Sequence, residues 1–220
     1  MAKEAIEELV SSVLPSLVSF STEDTRWIIK SLSSYRKKWF VQLLFDSVEL
    51  LPDDFFLPLV KAAIYETDPS YNREFVYPCI RIFGRRRTSE ALLEFVSTGT
   101  NFEKAGAINA LYWALGSTDA GDDLEDIYFR RRCIYLQEFV SNRNLNVQRS
   151  LIPNLIFDIQ QYPEHLVPLV RKAIQIARGH PDSYIHRRIQ NELGELDVLD
   201  PLPHRMNPTS LIGKLLSYFS

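Results

Sequence analysis

The chain has 220 residues, 45% of them hydrophobic and 12% aromatic, which is enough apolar material for a continuous core. A charged fraction of 24% and a formal net charge of −3 exclude a strongly cationic protein built to hold nucleic acid or an anionic membrane surface. The two cysteines, Cys79 and Cys133, stand apart in apolar helical patterns, which fits buried thiols and excludes a disulfide framework or a clustered metal site.

The first residues, Met1-Ala2-Lys3-Glu4-Ala5-Ile6-Glu7-Glu8, are acidic and amphipathic, unlike a secretory signal. No apolar run approaches the roughly 18 residues that suggest a membrane span. A cytoplasmic protein without membrane contact is therefore expected. Residues 3–20 carry Ile6, Leu9, Val10, Val13 and Leu17 at helical spacing, interrupted at Pro15, and are expected to form an N-terminal cap. Ser21 or Thr22 can cap the next helix, which holds Trp27, Ile28 and Leu32, with Asp24 in its first turn. After Ser33-Ser34 a helix carries Trp39, Phe40, Leu43, Leu44 and Val48.

Leu51-Pro52-Asp53-Asp54 stops that helix and starts another, with Phe55, Phe56, Leu59, Val60, Ala63 and Ile64 on its apolar face. Asp68-Pro69 ends it, and residues 71–83 form its partner, closed by Gly84. The same plan predicts helices over 88–98 and 102–115, then about 125–141 and 145–158, then 163–178 and 183–193, where Gly194 ends the run. Sustained period-two alternation is lacking, so the chain reads as all-α, a row of antiparallel helical hairpins joined by short loops.

A signature returns five times along this row. Its copies begin at Tyr35-Arg36, Asn72-Arg73, Glu103-Lys104, Val147-Gln148 and Ile185-His186. Each is followed by two small or apolar residues four apart: Trp39 and Leu43, Val76 and Ile80, Ala107 and Leu111, Leu151 and Leu155, Ile189 and Leu193. Successive copies start 31 to 44 residues apart, a period that marks stacked supersecondary units.

The stretch Leu57-Pro58-Leu59-Val60, Asp68-Pro69, Arg73, Val76, Ile80 and Gly84 resembles a HEAT repeat. Leu166-Val167-Pro168-Leu169-Val170, Pro181-Asp182, Ile185-His186, Ile189 and Leu193-Gly194 resemble another, and Glu103-Lys104-Ala105-Gly106-Ala107-Ile108-Asn109-Ala110-Leu111 resembles a HEAT second helix. The resemblance covers about residues 22–194. It implies a right-handed α-solenoid of about five hairpins forming a single domain over 1–220, with 1–21 as the N-terminal cap and 195–220 as a Pro-punctuated linker and C-terminal helix. An armadillo or generic helical-hairpin array stays open. At that end Leu211, Ile212, Leu215, Leu216 and Phe219 make an amphipathic stripe expected to fold back as a cap.

Repeated basic positions at Arg36, Arg73, Lys104 and His186 are expected to lock the preceding turns at Asp68, Asn101 and Asp182. Two arginine triplets stand out, Arg85-Arg86-Arg87 in a loop and Arg130-Arg131-Arg132 opening a long helix. Their ordinary role is ion pairing, and consecutive residues on a helix diverge too much for the second to act as one patch. Asp119, Asp122, Asp123, Glu125 and Asp126 form an acidic segment expected to be an extended loop. It lacks the glycine and later Glu of a calcium loop, and could pair with Arg130–Arg132 or a basic partner.

The inner surface of a solenoid would be lined by Tyr77, Arg81, Asn109, Trp113, Arg149, Arg187 and Gln190, with either Tyr112 or Trp113 filling core space. Aromatic and arginine side chains in a groove are common interface anchors. With Asp122 and Asp123 of the acidic loop, these residues are the candidate partner-binding set. The histidines lack metal-ligand spacing, and no catalytic or phosphate-binding motif is present, so no cofactor or metal is expected. The leading expectation is a non-enzymatic protein-binding scaffold or adaptor with a protein partner. The alternative is a HEAT-like DNA-processing enzyme resembling alkylpurine DNA glycosylases, disfavoured by the net charge.

Overall fold

A computed structural model describes residues 21–34, 37–46, 48, 50–116 and 123–194, and every regular element among them is helical. The expected N-terminal and C-terminal caps, Arg36 and Asp122 lie outside the described residues, as do the side chains of Trp39 and Leu43. The chain divides into two compact units, one running through Leu155 and the other starting at Ile156.

In the first unit α1 spans Thr22–Leu32 and α2 Lys38–Asp46. A 3₁₀ turn at Asp53–Phe55 leads into α3, Phe56–Ile64, and α4 is Arg73–Phe83. Then come α5 at Arg85–Thr98, α6 at Asn101–Leu115, α7 at Glu125–Ser141 and α8 at Leu145–Leu151. Local chemistry sets several starts. Ser21 and Asp24 form a reciprocal capping box, in which the Asp24 N–H donates to Ser21 Oγ at 3.1 Å and Asp24 Oδ2 accepts from the Ser21 N–H at 3.1 Å. Thr100 and Glu103 repeat the arrangement at α6, and Asn144 Oδ1 accepts from the Asn146 and Val147 N–H groups at α8.

Helix contacts within this unit run in two rows: α1 touches α3, α3 touches α5 and α5 touches α7, while α2 touches α4, α4 touches α6 and α6 touches α8. The apolar faces supply the contact, with Phe45, Phe55, Leu59, Phe75, Leu92, Leu93, Ile108, Leu111, Ile127 and Phe139 essentially inaccessible to water. Of the apolar columns read from the sequence, Val76, Ala107, Leu111, Leu151 and Leu155 are buried, and Ile80 is half-buried.

Several boundaries differ from the sequence reading. Arg85-Arg86-Arg87 is the first turn of α5 and not a loop, because Gly84 adopts φ 90° and reverses the chain in one residue between α4 and α5. The helix drawn over 145–158 stops at Leu151, since Pro153 lacks the N–H a further α turn needs and the chain tightens into a 3₁₀ turn at Ile152–Asn154. Val48 lies beyond α2, which ends at Asp46. Pro78 sits inside α4, buried, without ending it.

In the second unit 3₁₀ turns at Ile159–Gln161 and Glu164–Leu166 precede α9, Val167–Arg178, and α10 is Ser183–Leu193. Val170, Ala173, Ile174 and Ala177 of α9 and Ile185, Ile189 and Leu193 of α10 are buried, and the two helices pack on each other. The Asp182 side chain caps α10 by accepting the Ile185 N–H at 3.2 Å, and its own N–H donates to His180 Nδ1 at 3.0 Å, so His180-Pro181-Asp182 forms the turn expected of it.

Candidate functional site along helix α6

Asn109 and Trp113 lie one turn apart on α6 and therefore share a face. The Trp113 indole N–H donates to the Pro69 carbonyl at 2.9 Å, which ties the ring to the turn between α3 and α4. Tyr77 of α4 meets the indole edge-to-face at a centroid distance of 6.3 Å, and Tyr112 does so at 5.1 Å. The Arg73 guanidinium lies 5.5 Å from the same ring centroid. Tyr77 is 49% exposed and Tyr112 57% exposed, while Trp113 is half-buried. Neither Tyr112 nor Trp113 fills the core as the sequence suggests; Leu111, Ala114 and Leu115 do so.

One turn earlier on α6, Asn109 lines a cleft of about 420 Å³ whose other wall carries Asn146 and Arg149 of α8. Ile64, at the end of α3, and Gly106 line it as well. A Cβ at Gly106 would lie 2.0 Å from the Ile64 carbonyl oxygen, so glycine is what lets α3 reach α6. Glu66 also lines the cleft, but its carboxylate is 3% exposed, pairs with the Lys38 ammonium and accepts the Asp68 N–H at 3.1 Å. The cleft is thus polar without a free anion from Glu66.

The other expected positions fall elsewhere. Arg81 donates to the Val48 carbonyl at 2.8 Å and to the Phe45 carbonyl, closing the end of α2. Arg187 is exposed on α10 in the second unit. Asp123 offers its backbone carbonyl to Arg86 at 2.6 Å.

The first arginine triplet is engaged throughout. Arg85 is buried and donates to the Ala114 carbonyl at 2.8 Å, near the end of α6. Arg86 holds Asp126 with two hydrogen bonds of 2.9 and 2.8 Å, and its guanidinium keeps the Asp126 carboxyl below the usual carboxylate range. Asp126 therefore pairs with Arg86, where the sequence reading named Arg130–Arg132. Arg87 donates to Asp53 at 2.8 Å and lies 4.1 Å from the Phe56 ring centroid, and it lowers the Asp53 carboxyl in the same way. In the second triplet Arg131 lies over the Tyr128 and Tyr135 rings.

Of the basic repeat positions, Lys104 locks two helices together by donating to Glu138 at 2.6 Å and to the Ser97 carbonyl at 3.1 Å. Arg73 turns to Glu74 and Trp113 instead of Asp68. Tyr65 and Phe102 stack at 5.5 Å on the surface, and the Tyr65 hydroxyl donates to Glu103 at 2.7 Å, which lowers the Glu103 carboxyl. Burial raises the Cys79 thiol, while Cys133 is only partly covered. Sequence reasoning read Asn101 only as a turn residue and missed Asn144 and Asn146; their visible signal was the density of asparagines around the starts of α6 and α8.

No protein-family model, curated protein or solved structure matches the chain. Among the described residues no helix is long and apolar enough to cross a membrane.

Proposed function

We propose that this chain is a non-enzymatic, cytoplasmic protein-binding scaffold of HEAT-like solenoid design, with its partner held along α6. The observation that carries the reading is the Tyr77–Trp113–Tyr112 cluster, its two tyrosines exposed around a half-buried indole fixed by the Pro69 carbonyl, next to a polar cleft lined by Asn109 one turn away. Aromatic anchors with little side-chain freedom lose little entropy on binding and are over-represented among residues that dominate interface energies. The two rows of helix contacts support the solenoid reading, since stacked hairpins bury their apolar faces only against neighbours.

The test is affinity capture with the full chain, run beside Trp113→Ala and Tyr77→Ala baits of equal helicity, followed by titration of the purified partner. The reading requires a partner whose affinity falls at least tenfold with either substitution. A partner indifferent to both, or turnover of a substrate by the purified chain, sinks it.

A further inference from the structure

A second concavity, of about 510 Å³, lies between α1 and α3. Ile29 and Leu32 of α1 line it, with Leu57, Lys61 and Ala62 of α3 and Tyr65 at the α3 C-cap. Leu57, Lys61 and Tyr65 follow one another at four-residue spacing and so form one stripe. Leu57 is 47% and Tyr65 49% exposed, so two large apolar side chains of this stripe stay accessible to water. Lys61 is exposed too and forms no salt bridge among the described residues, acting on Glu103 only at longer range. The groove is therefore apolar with one unneutralised cation in its lining.

The chain carries a segment with the complementary chemistry, tethered beside this groove. Ser21 caps α1 in an extended conformation, φ −66° and ψ 162°, so the upstream chain leaves the helix axis at that residue. Upstream, Ile6, Leu9, Val10 and Val13 recur at helical spacing, and Glu4, Glu7 and Glu8 outnumber Lys3. Residues 14–20, which contain Pro15, are left as a connector. Seven residues reach up to about 23 Å, more than the roughly 16 Å length of an eleven-residue helix such as α1. Val13 can therefore reach the Leu32 end of the groove. A tether this short supplies the segment at an effective concentration on the order of millimolar. The other apolar stripe, over 209–219, lacks the charge match, since Lys214 is its sole charged residue.

We infer that residues 3–13 seat as an amphipathic helix in the α1–α3 groove, with their aliphatic side chains on Leu57 and Tyr65 and their carboxylates near Lys61. This gives the N-terminal cap expected from the sequence a specific seat. It is independent of the protein-binding reading, and it keeps an apolar surface of the first hairpin from other chains.

The test reads thiol accessibility in the full chain. Leu57→Cys is the reporter in a Cys133→Ser background, where the remaining Cys79 is buried, and Leu145→Cys on α8 is the control. Maleimide should label the Leu57 reporter about tenfold more slowly than in the same chain carrying Leu9→Asp and Val13→Asp, while the control rate stays the same. A synthetic peptide of residues 3–20, added to the aspartate-bearing chain, should restore slow labelling. Equal rates with and without the aspartates overturn the inference, as does acceleration of both reporters without rescue by the peptide. Acceleration by Ile212→Asp with Leu215→Asp would give the groove to the C-terminal stripe, and acceleration on dilution would give it to a second copy. Either result overturns the inference.

Discussion

Gly106 and Ile64 are in such close apposition that a Cβ on the glycine would lie 2.0 Å from the Ile64 carbonyl oxygen. The obstacle is backbone, and no rotamer change relieves it. Gly106→Ala gains the helix propensity of alanine, about 1 kcal/mol, but forces α3 and α6 apart. Overpacking of this kind costs about 1–3 kcal/mol, and backbone displacement puts the outcome at the upper end. Thermal unfolding should show a lower Tm for Gly106→Ala than for the wild-type chain, and an unchanged or raised Tm would refute the close-approach argument.

The Lys38–Glu66 pair joins α2 to the turn after α3, with side chains 9% and 3% exposed. Removing one partner strands the other charge in a desolvated site, which costs about 3–5 kcal/mol. Lys38→Met should therefore be strongly destabilising in urea denaturation. The double substitution Lys38→Met with Glu66→Leu should recover part of the loss, although the Asp68 N–H then loses its acceptor. Equal destabilisation of single and double variants would show that the pair does not act as a unit.

Arg86 and Asp126 give a pH-dependent test. The arginine lowers the folded-state Asp126 carboxyl below its ordinary value of 3.8. A depressed carboxylate contributes stability that is present above the unfolded value and is lost as pH falls through the folded one. The Tm difference between wild type and Arg86→Ala should be constant near neutrality and shrink as pH drops below 3.8. A difference independent of pH over that window would mean the bond to the Asp123 carbonyl carries the effect instead.

What the sequence made legible was local. Ser21 could be named as a cap because its partner Asp24 is three residues away, and the columns Val76, Ala107 and Leu111 follow from helical periodicity alone. Arg81 and Arg85 look identical to surface arginines in sequence, yet they close helix ends whose carbonyls lie 33 and 29 residues away. The cleft was opaque for the same reason: Asn109, Asn146 and the Ile64 backbone meet only after three helices have packed. The bond from Trp113 to Pro69 was equally hidden, because it depends on a turn 44 residues earlier.

That bond separates the structural and binding contributions of Trp113. Trp113→Phe keeps an aromatic surface for Tyr77 and Arg73 but removes the N–H that fixes the ring on the Pro69 carbonyl. One lost hydrogen bond at a partly solvated carbonyl costs about 0.5–1.5 kcal/mol, so the variant should unfold at slightly lower urea with an unchanged m-value. Its effect on partner affinity should exceed that stability loss, because an unpinned ring must be ordered when the partner docks. Comparing Trp113→Phe with Trp113→Ala by calorimetry reads the two contributions apart: phenylalanine should retain part of the favourable contact at a larger entropic cost, while alanine should lose both. Equal affinities for Trp113→Phe and the wild-type chain would show that pinning the indole contributes nothing to binding.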